Sequence, residues 1–543
     1  MIRYRRCSRF VALPLLACAL GTLRGEAQLR VQETSLGIRA ADTVSGTFTF
    51  SRALDVAYIQ KVARGEQVVV NGVAGAVFAS IPRVRLSEAG RVSSISFSPN
   101  GKRVAYVAIS NGKTVMVVDG VAGAPFDFIP VGSAFFSPDS RRVTYVAKRG
   151  DRNYVITDGR ESAPYDEIDM RYARFTSDSK HVIYTATLGA RHVVVYDDKE
   201  IARAEYVGDP VFSKTGNRLA YVQMNNDAWA VVVDGVAGKS YRSIGNNLIF
   251  SDDESHFLYR GRDSLDHVVV DGVERVNARS IRGNSYALSS DGKHVAFVAQ
   301  DGGRDRWVLD GVPQTTYDWV SGDAAFSADG RTLTYVAELE RKRFVVIGAN
   351  EGERFDDITE FPKFTANNHV LFVAKRGEQH YVVIDSQGAA YDQVSETFIA
   401  PSGKAVTVAK RGATWSVYID GKPGALYDEA PNSLTISDDG QHLAFTGGRD
   451  GKRFVCIDNN ETQLFDNVRV LSFSPDGKHL AFIASRGRHE LLVLDGVEST
   501  TYDQVMWLER SSLLSPNSLS FLARRGPADV RVTVDWNAAA TRR

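Results

Sequence analysis

Apolar residues occur along this chain in short runs, many of them alternating with polar ones, and the runs are separated by Gly, Asp, Asn and Pro. Period-two alternation with that punctuation predicts β-strands joined by tight turns rather than helices. The pattern also recurs. Phe473-Ser474-Pro475-Asp476-Gly477-Lys478-His479-Leu480-Ala481-Phe482 repeats the phrase Phe97-Ser98-Pro99-Asn100-Gly101-Lys102-Arg103-Val104-Ala105-Tyr106. Its anchor returns at Phe50, Phe97, Phe136, Phe175, Phe212, Phe250, Leu288, Phe326, Phe364, Ile399, Ile436, Phe473 and Leu514, 35 to 47 residues apart. A second phrase, an apolar run ending in Asp-Gly, follows most anchors, as at Asp119-Gly120, Asp310-Gly311 and Asp495-Gly496. A third is Tyr or Phe before Asp, as at Phe126-Asp127, Tyr165-Asp166, Tyr391-Asp392, Phe465-Asp466 and Tyr502-Asp503.

Each unit divides into four β-type runs. In the unit at Phe473 these are Val470 to Ser474, His479 to Ala484, Glu490 to Leu494 and Thr501 to Val505. Pro475-Asp476-Gly477 suits a hairpin, since Pro fixes the first turn residue and Gly accepts positive φ. Four antiparallel strands per unit, repeated in tandem, predict the blades of a β-propeller. Thirteen anchors exceed the four to eight blades usual for one ring, so the expectation is an all-β chain of tandem propellers, six blades plus seven. The first ring would span residues 28–320 and the second 321–543, with residues 28 to 47 supplying a strand that closes a ring.

With these phrases in view, the Ser-Pro-Asp-Gly-Lys-x-Leu-Ala-Phe run of Ser474 to Phe482 resembles the TolB-like, WD40-like β-propeller repeat of bacterial envelope proteins. The resemblance covers about residues 47 to 537. It implies the propeller fold, and it implies protein binding at an envelope or membrane complex. Ile347-Gly348 and Asp385-Ser386 depart from the Asp-Gly phrase, and Thr365-Ala366-Asn367-Asn368 from Ser-Pro-Asp-Gly.

The first residues follow another rule. Arg3, Arg5, Arg6 and Arg9 precede an apolar run from Phe10 to Leu20, and Gly25-Glu26-Ala27 offers a small-residue cleavage site. This predicts a secretory signal peptide over 1–27 and a periplasmic or secreted protein. Leu15-Leu16-Ala17-Cys18 supports the rival reading of a lipid anchor at Cys18. No apolar run is long enough for a transmembrane helix. Of three cysteines only Cys456 would remain after cleavage, in a strand pattern that suits a buried thiol. Lys and Arg total 65 and so do Asp and Glu. That balance argues against nucleic acid as a partner.

Signatures of catalysis are missing. Gly-x-Ser-x-Gly, which a peptidase of the prolyl oligopeptidase type would need, does not occur. Gly238-Lys239-Ser240 lacks the earlier Gly of a phosphate loop, and His489-Glu490 lacks the second His of a zinc motif. The expectation is therefore no enzyme, no metal and no cofactor.

What remains is surface. A basic turn recurs at Arg64-Gly65, Lys148-Arg149-Gly150, Lys375-Arg376-Gly377, Lys410-Arg411-Gly412, Arg486-Gly487 and Arg524-Arg525-Gly526. These turns would share one face, opposite the Asp-bearing turns, with Tyr154, His267, Phe344, Tyr381 and Phe454 nearby. The candidate binding residues are Arg64, Lys148, Arg149, Lys375, Arg376, Lys410, Arg411, Arg486 and Arg525, suited to carboxylates or an acidic partner. The same residues equally suit plain turn chemistry, with aromatics packed between blades and Asp capping backbone N–H groups. Asp209, Asn247, Asn284 and Asp323 would sit at the channel mouth, where a carbohydrate or small ligand could bind instead.

Overall fold

The computed structural model describes residues 29, 31–38, 43–44, 47–51, 53–83, 94–169, 173–245, 248–365, 368–507 and 518–535. The expected signal peptide, Cys18, Asn247 and Leu514 lie outside them. Every regular element among the described residues is a β-strand, and the strands form thirteen antiparallel sheets in chain order. These sheets are the blades, numbered here 1 to 13, and their strands run a to d from the channel outward.

Blade 12 shows how the sequence builds one. Strand a is Asn467–Phe473, strand b Leu480–Arg486, strand c His489–Leu494 and strand d Val497–Glu498. Strand b is apolar on both sides because it packs on two neighbouring blades, so it reads as a continuous run instead of an alternating one. The fourth strand differs from the expectation of Thr501 to Val505. Asp495 and Gly496 have φ of 48° and 78°, a two-residue hairpin that starts the return strand at once, at Val497. Tyr502 instead makes a single bridge to Glu490 and leads into the next blade. In blades 4, 5 and 6 strand a comes in two pieces on one strand b, for example Glu167–Ile168 and Arg174–Phe175 against Val182–Leu188.

Thirteen apolar clusters join each blade to the next. Closure falls between the two ends of the chain. Strand Gln32–Ile38 is the outermost strand of blade 13, pairing Gln32 with Thr533 and Ser35 with Val530, as the sequence led us to expect. Leu36 and Leu522 of that blade then pack on Leu54 and Val56 at blade 1. Arg531 donates to the Leu54 carbonyl and pairs with Asp55 across the same junction.

The division into rings of six and seven is not seen. Two rings would each pack their own first blade on their own last, whereas among the described residues the last-to-first junction is that of blade 13 on blade 1. Val320, where the seam was expected, is fully buried in strand a of blade 8 (Trp319–Phe326), within the cluster that joins blades 7 and 8. With sheets stacked about 10 Å apart and strands about 4.8 Å apart, a thirteen-blade ring places strand a roughly 14 Å from the axis. Such a channel exceeds the 10–12 Å width of a helix.

Candidate interaction faces

On one face of the ring lie the a–b and c–d turns. In blade 12, Ser474 Oγ donates to Asp476 Oδ1 at 2.6 Å and accepts the His479 N–H at 3.0 Å, so the turn is held by its own side chains. The Asp of Asp-Gly then ties the second turn to the first. Asp495 Oδ1 accepts the Leu480 N–H at 2.9 Å, and its Oδ2 lies 2.6 Å from His479 Nδ1. The same His–Asp pair recurs at His256–Asp271, His294–Asp310, His369–Asp385 and His442–Asp458, with Arg in place of His at Arg142–Asp158 and Arg218–Asp234. Neighbouring turns are also linked, since the Asp139 N–H donates to Ser179 Oγ at 2.9 Å. These bonds to the ionised form pull Asp253 and Asp476 down to about 2, Ser251 and Ser474 being the largest causes.

The other face carries the basic turns and shows what most of them do. Asp466 of Phe465-Asp466 accepts the Gly487 N–H of the next blade's b–c turn at 2.6 Å and pairs with Lys452 of its own blade at 2.7 Å. Lys452 and Gly487 together hold its carboxyl below the usual range. Asp127 and Asp356 make the same clasp, to Gly150 and Gly377. The Arg before that Gly lies over the aromatic ring that precedes the Asp. Its guanidinium carbon is 4.6 Å from the ring centroid for Arg149 over Phe126, 4.8 Å for Arg376 over Phe355 and 4.5 Å for Arg411 over Tyr391. For Arg486 over Phe465 it is 5.2 Å, and for Arg525 over Tyr502 4.8 Å. Four of the five also meet a carboxylate, Glu161, Glu353, Glu498 and Glu33 respectively for Arg149, Arg376, Arg486 and Arg525. Arg411 Nε donates to the Ala390 carbonyl instead. These five arginines therefore join blades.

The remaining candidates stand differently. Arg64, Lys148, Lys375 and Lys410 have no carboxylate at ion-pair distance among the described residues, and Arg64 and Lys148 are exposed. Asp209 and Asp323 are exposed on the channel side, Asp209 between the two pieces of strand a in blade 5 and Asp323 within strand a of blade 8. Asn284 lies on strand a of blade 7. The sequence reading missed the acidic halves of the pairs, although the constant spacing of 12 from Arg149 to Glu161 and from Arg486 to Glu498 was open to inspection. It also missed a recess of about 590 Å³ where strands a of blades 10, 11 and 12 meet their a–b turns. Cys456 is buried, and burial pushes its thiol up.

No family model matches the chain, and no curated protein matches it. Among solved structures it is similar to a eukaryotic initiation factor, at 13% identity and a TM-score of 0.31 over 57% of this chain and 93% of that one. It is similar to the β-propeller domain of the Trilobed protease from Pyrococcus furiosus, at 14% identity and 0.25 over 48% and 97%. It is similar also to the Cps50 (Swd1) β-propeller domain from Myceliophteria thermophila, at 11% and 0.20 over 47% and 97%. Each TM-score is below 0.5, so the blade assignment rests on the strand pairings and not on these neighbours.

Proposed function

We propose that this chain is an exported, non-enzymatic β-propeller that works as a protein-interaction scaffold, with a partner in the bacterial envelope or a membrane complex. One observation carries the reading: the turns of both faces are locked blade to blade by paired side chains, which makes the ring a broad, preorganised platform that gives up little freedom on binding. The basic opening and apolar run of residues 3 to 20 support export, and Cys18 offers a lipid attachment point facing the periplasm. The TolB-like repeat phrases support the choice of an envelope partner. On the basic face the open cations Arg64, Lys148, Lys375 and Lys410 are the groups free to meet an acidic surface. The test is cross-linking and affinity capture from an envelope fraction, followed by binding of the purified partner to the purified chain. A stoichiometric partner that loses affinity when Lys148, Lys375 and Lys410 are changed to Glu supports the basic face. Binding unchanged by those substitutions removes that face from the proposal.

A second reading is favoured by the channel wall, where the carboxylates of Asp209 and Asp323 accompany the exposed rings of Phe135 and Phe361 on inner strands. Acid and aromatic groups on one channel wall suit a carbohydrate. A thermal shift with a glycan panel decides, because a ligand at 100 times its dissociation constant adds about 2.7 kcal/mol.

A further inference from the structure

The recess at blades 10 to 12 sets apolar and acidic groups together on the channel wall. Its floor is apolar, made by Leu434 and Phe473, both nearly buried, with Phe398, Ile399 and Ile436 partly open around them. Two carboxylates edge it, Glu396 on strand a of blade 10 (Gln393–Ile399) and Asp438 in the a–b turn of blade 11.

Neither carboxylate makes a side-chain hydrogen bond or ion pair among the described residues. Asp438 takes the place that Pro fills in Ser474-Pro475-Asp476, and the turn bonds of blade 11 are made by its neighbour, Asp439. Glu396 pairs with Val408 through its backbone alone. Among the described residues neither has a cation at ion-pair distance; that is equally true of turn carboxylates such as Asp252 and Asp450, and what sets this pair apart is the apolar recess it edges. Glu360 on strand a of blade 9 adds to the negative field: burial, and the like charge of Glu396, raise its pKa, with Lys363 opposing. An apolar pocket rimmed by uncompensated carboxylates complements an apolar side chain flanked by cations.

We infer that this recess docks a partner-protein segment that presents an aliphatic or aromatic side chain between lysines or arginines, entering along the channel wall. The inference rests on the scaffold reading above and gives it a second site, of opposite charge preference to the basic face. A channel wider than a helix leaves room for such a segment to reach the recess.

The test uses the full chain and fluorescein-labelled peptides of two kinds, a Lys-Phe-Lys-Leu-Lys core between Gly-Ser arms and the same core with Glu for Lys. Fluorescence anisotropy at low salt is expected to show the Lys peptide bound at least tenfold more tightly than the Glu peptide. Affinity should fall at least tenfold in a Glu396→Gln, Asp438→Asn variant, and also in Ile436→Ser. All three positions are at least partly exposed, so unchanged melting temperatures certify folding. Equal affinity for the two peptides, or the same affinity in the charge-neutral variant, overturns the inference. A partner captured from the envelope that still binds the Glu396→Gln, Asp438→Asn variant at full strength also overturns it, and leaves the scaffold reading intact. Failure to capture any partner bears on the scaffold reading alone, since the peptides report on the recess without it.

Discussion

Arg282 and Asp305 show how much a single pair can hold. Asp305 is almost wholly buried on strand c of blade 7 (Arg304–Leu309), and Arg282, three-quarters buried, reaches it and also donates to the Val320 carbonyl of blade 8. Removing one partner strands a buried charge, so Arg282→Leu should cost about 3–5 kcal/mol in urea unfolding, and adding Asp305→Leu should restore most of it. Trp307, two residues on, is fully buried with an indole N–H that meets no acceptor among the described residues. An unmet buried donor costs about 1–3 kcal/mol. Trp307→Phe should therefore lose roughly 1 kcal/mol or less, against about 3–5 for Trp307→Ala, measured the same way. Neither environment was legible in the chain. The position of Asp305 is filled by Asn153, Arg343, Trp415 or Glu490 in other blades, and nothing local marks which of these side chains points between blades.

At the scale of the element the turn is the unit that matters. Gly101, at φ 74°, would place a Cβ 2.4 Å from Ser51 Oγ and 2.7 Å from the Ala53 backbone nitrogen. Gly101→Ala should accordingly lower the melting temperature, whereas Gly120→Ala, at a similar φ with open space around it, carries only the backbone strain. The carboxylates of both faces add a pH dependence. Asp127, Asp139, Asp178, Asp356, Asp439 and Asp466 lie below their ordinary value of 3.8, and Asp253 and Asp476 fall to about 2. A carboxyl with a lowered folded pKa gives stability that is present above its unfolded value and lost as pH falls through the folded one. Melting temperature should thus hold from neutral pH to about pH 4 and then drop steeply toward pH 2, less steeply in Asp466→Asn. The turns were legible because Pro, Asp and Gly declare them locally. The use of the basic arginines was not, since Arg486 looks like any exposed turn cation until Phe465 of the preceding phrase is seen beneath it.

For the molecule as a whole, closure decides the most. Strand Gln32–Ile38 completes a blade nearly five hundred residues away. Deleting residues 28–38 should leave the edge of Ala528–Asp535 open and the blade 13 to blade 1 cluster unmade. The expected result is a lower melting temperature and self-association by light scattering. Negative-stain images of the intact chain should show one ring about 57 Å across between its outermost strands, from the same sheet and strand spacings; two smaller rings side by side would contradict the closure. The sequence by itself determined the three inner strands of a blade, the turns and the number of blades, because patterning and turn residues act over a few neighbours and every unit repeats them; the short outer strand, set by the Asp-Gly hairpin, was misplaced. Only the tertiary structure decided that thirteen blades share one axis, which charges are clasped, and that Glu396 and Asp438 meet no cation among the described residues. A blade presents the same apolar faces whether its ring holds seven or thirteen, and pairing between charges depends on which blade stands next to which.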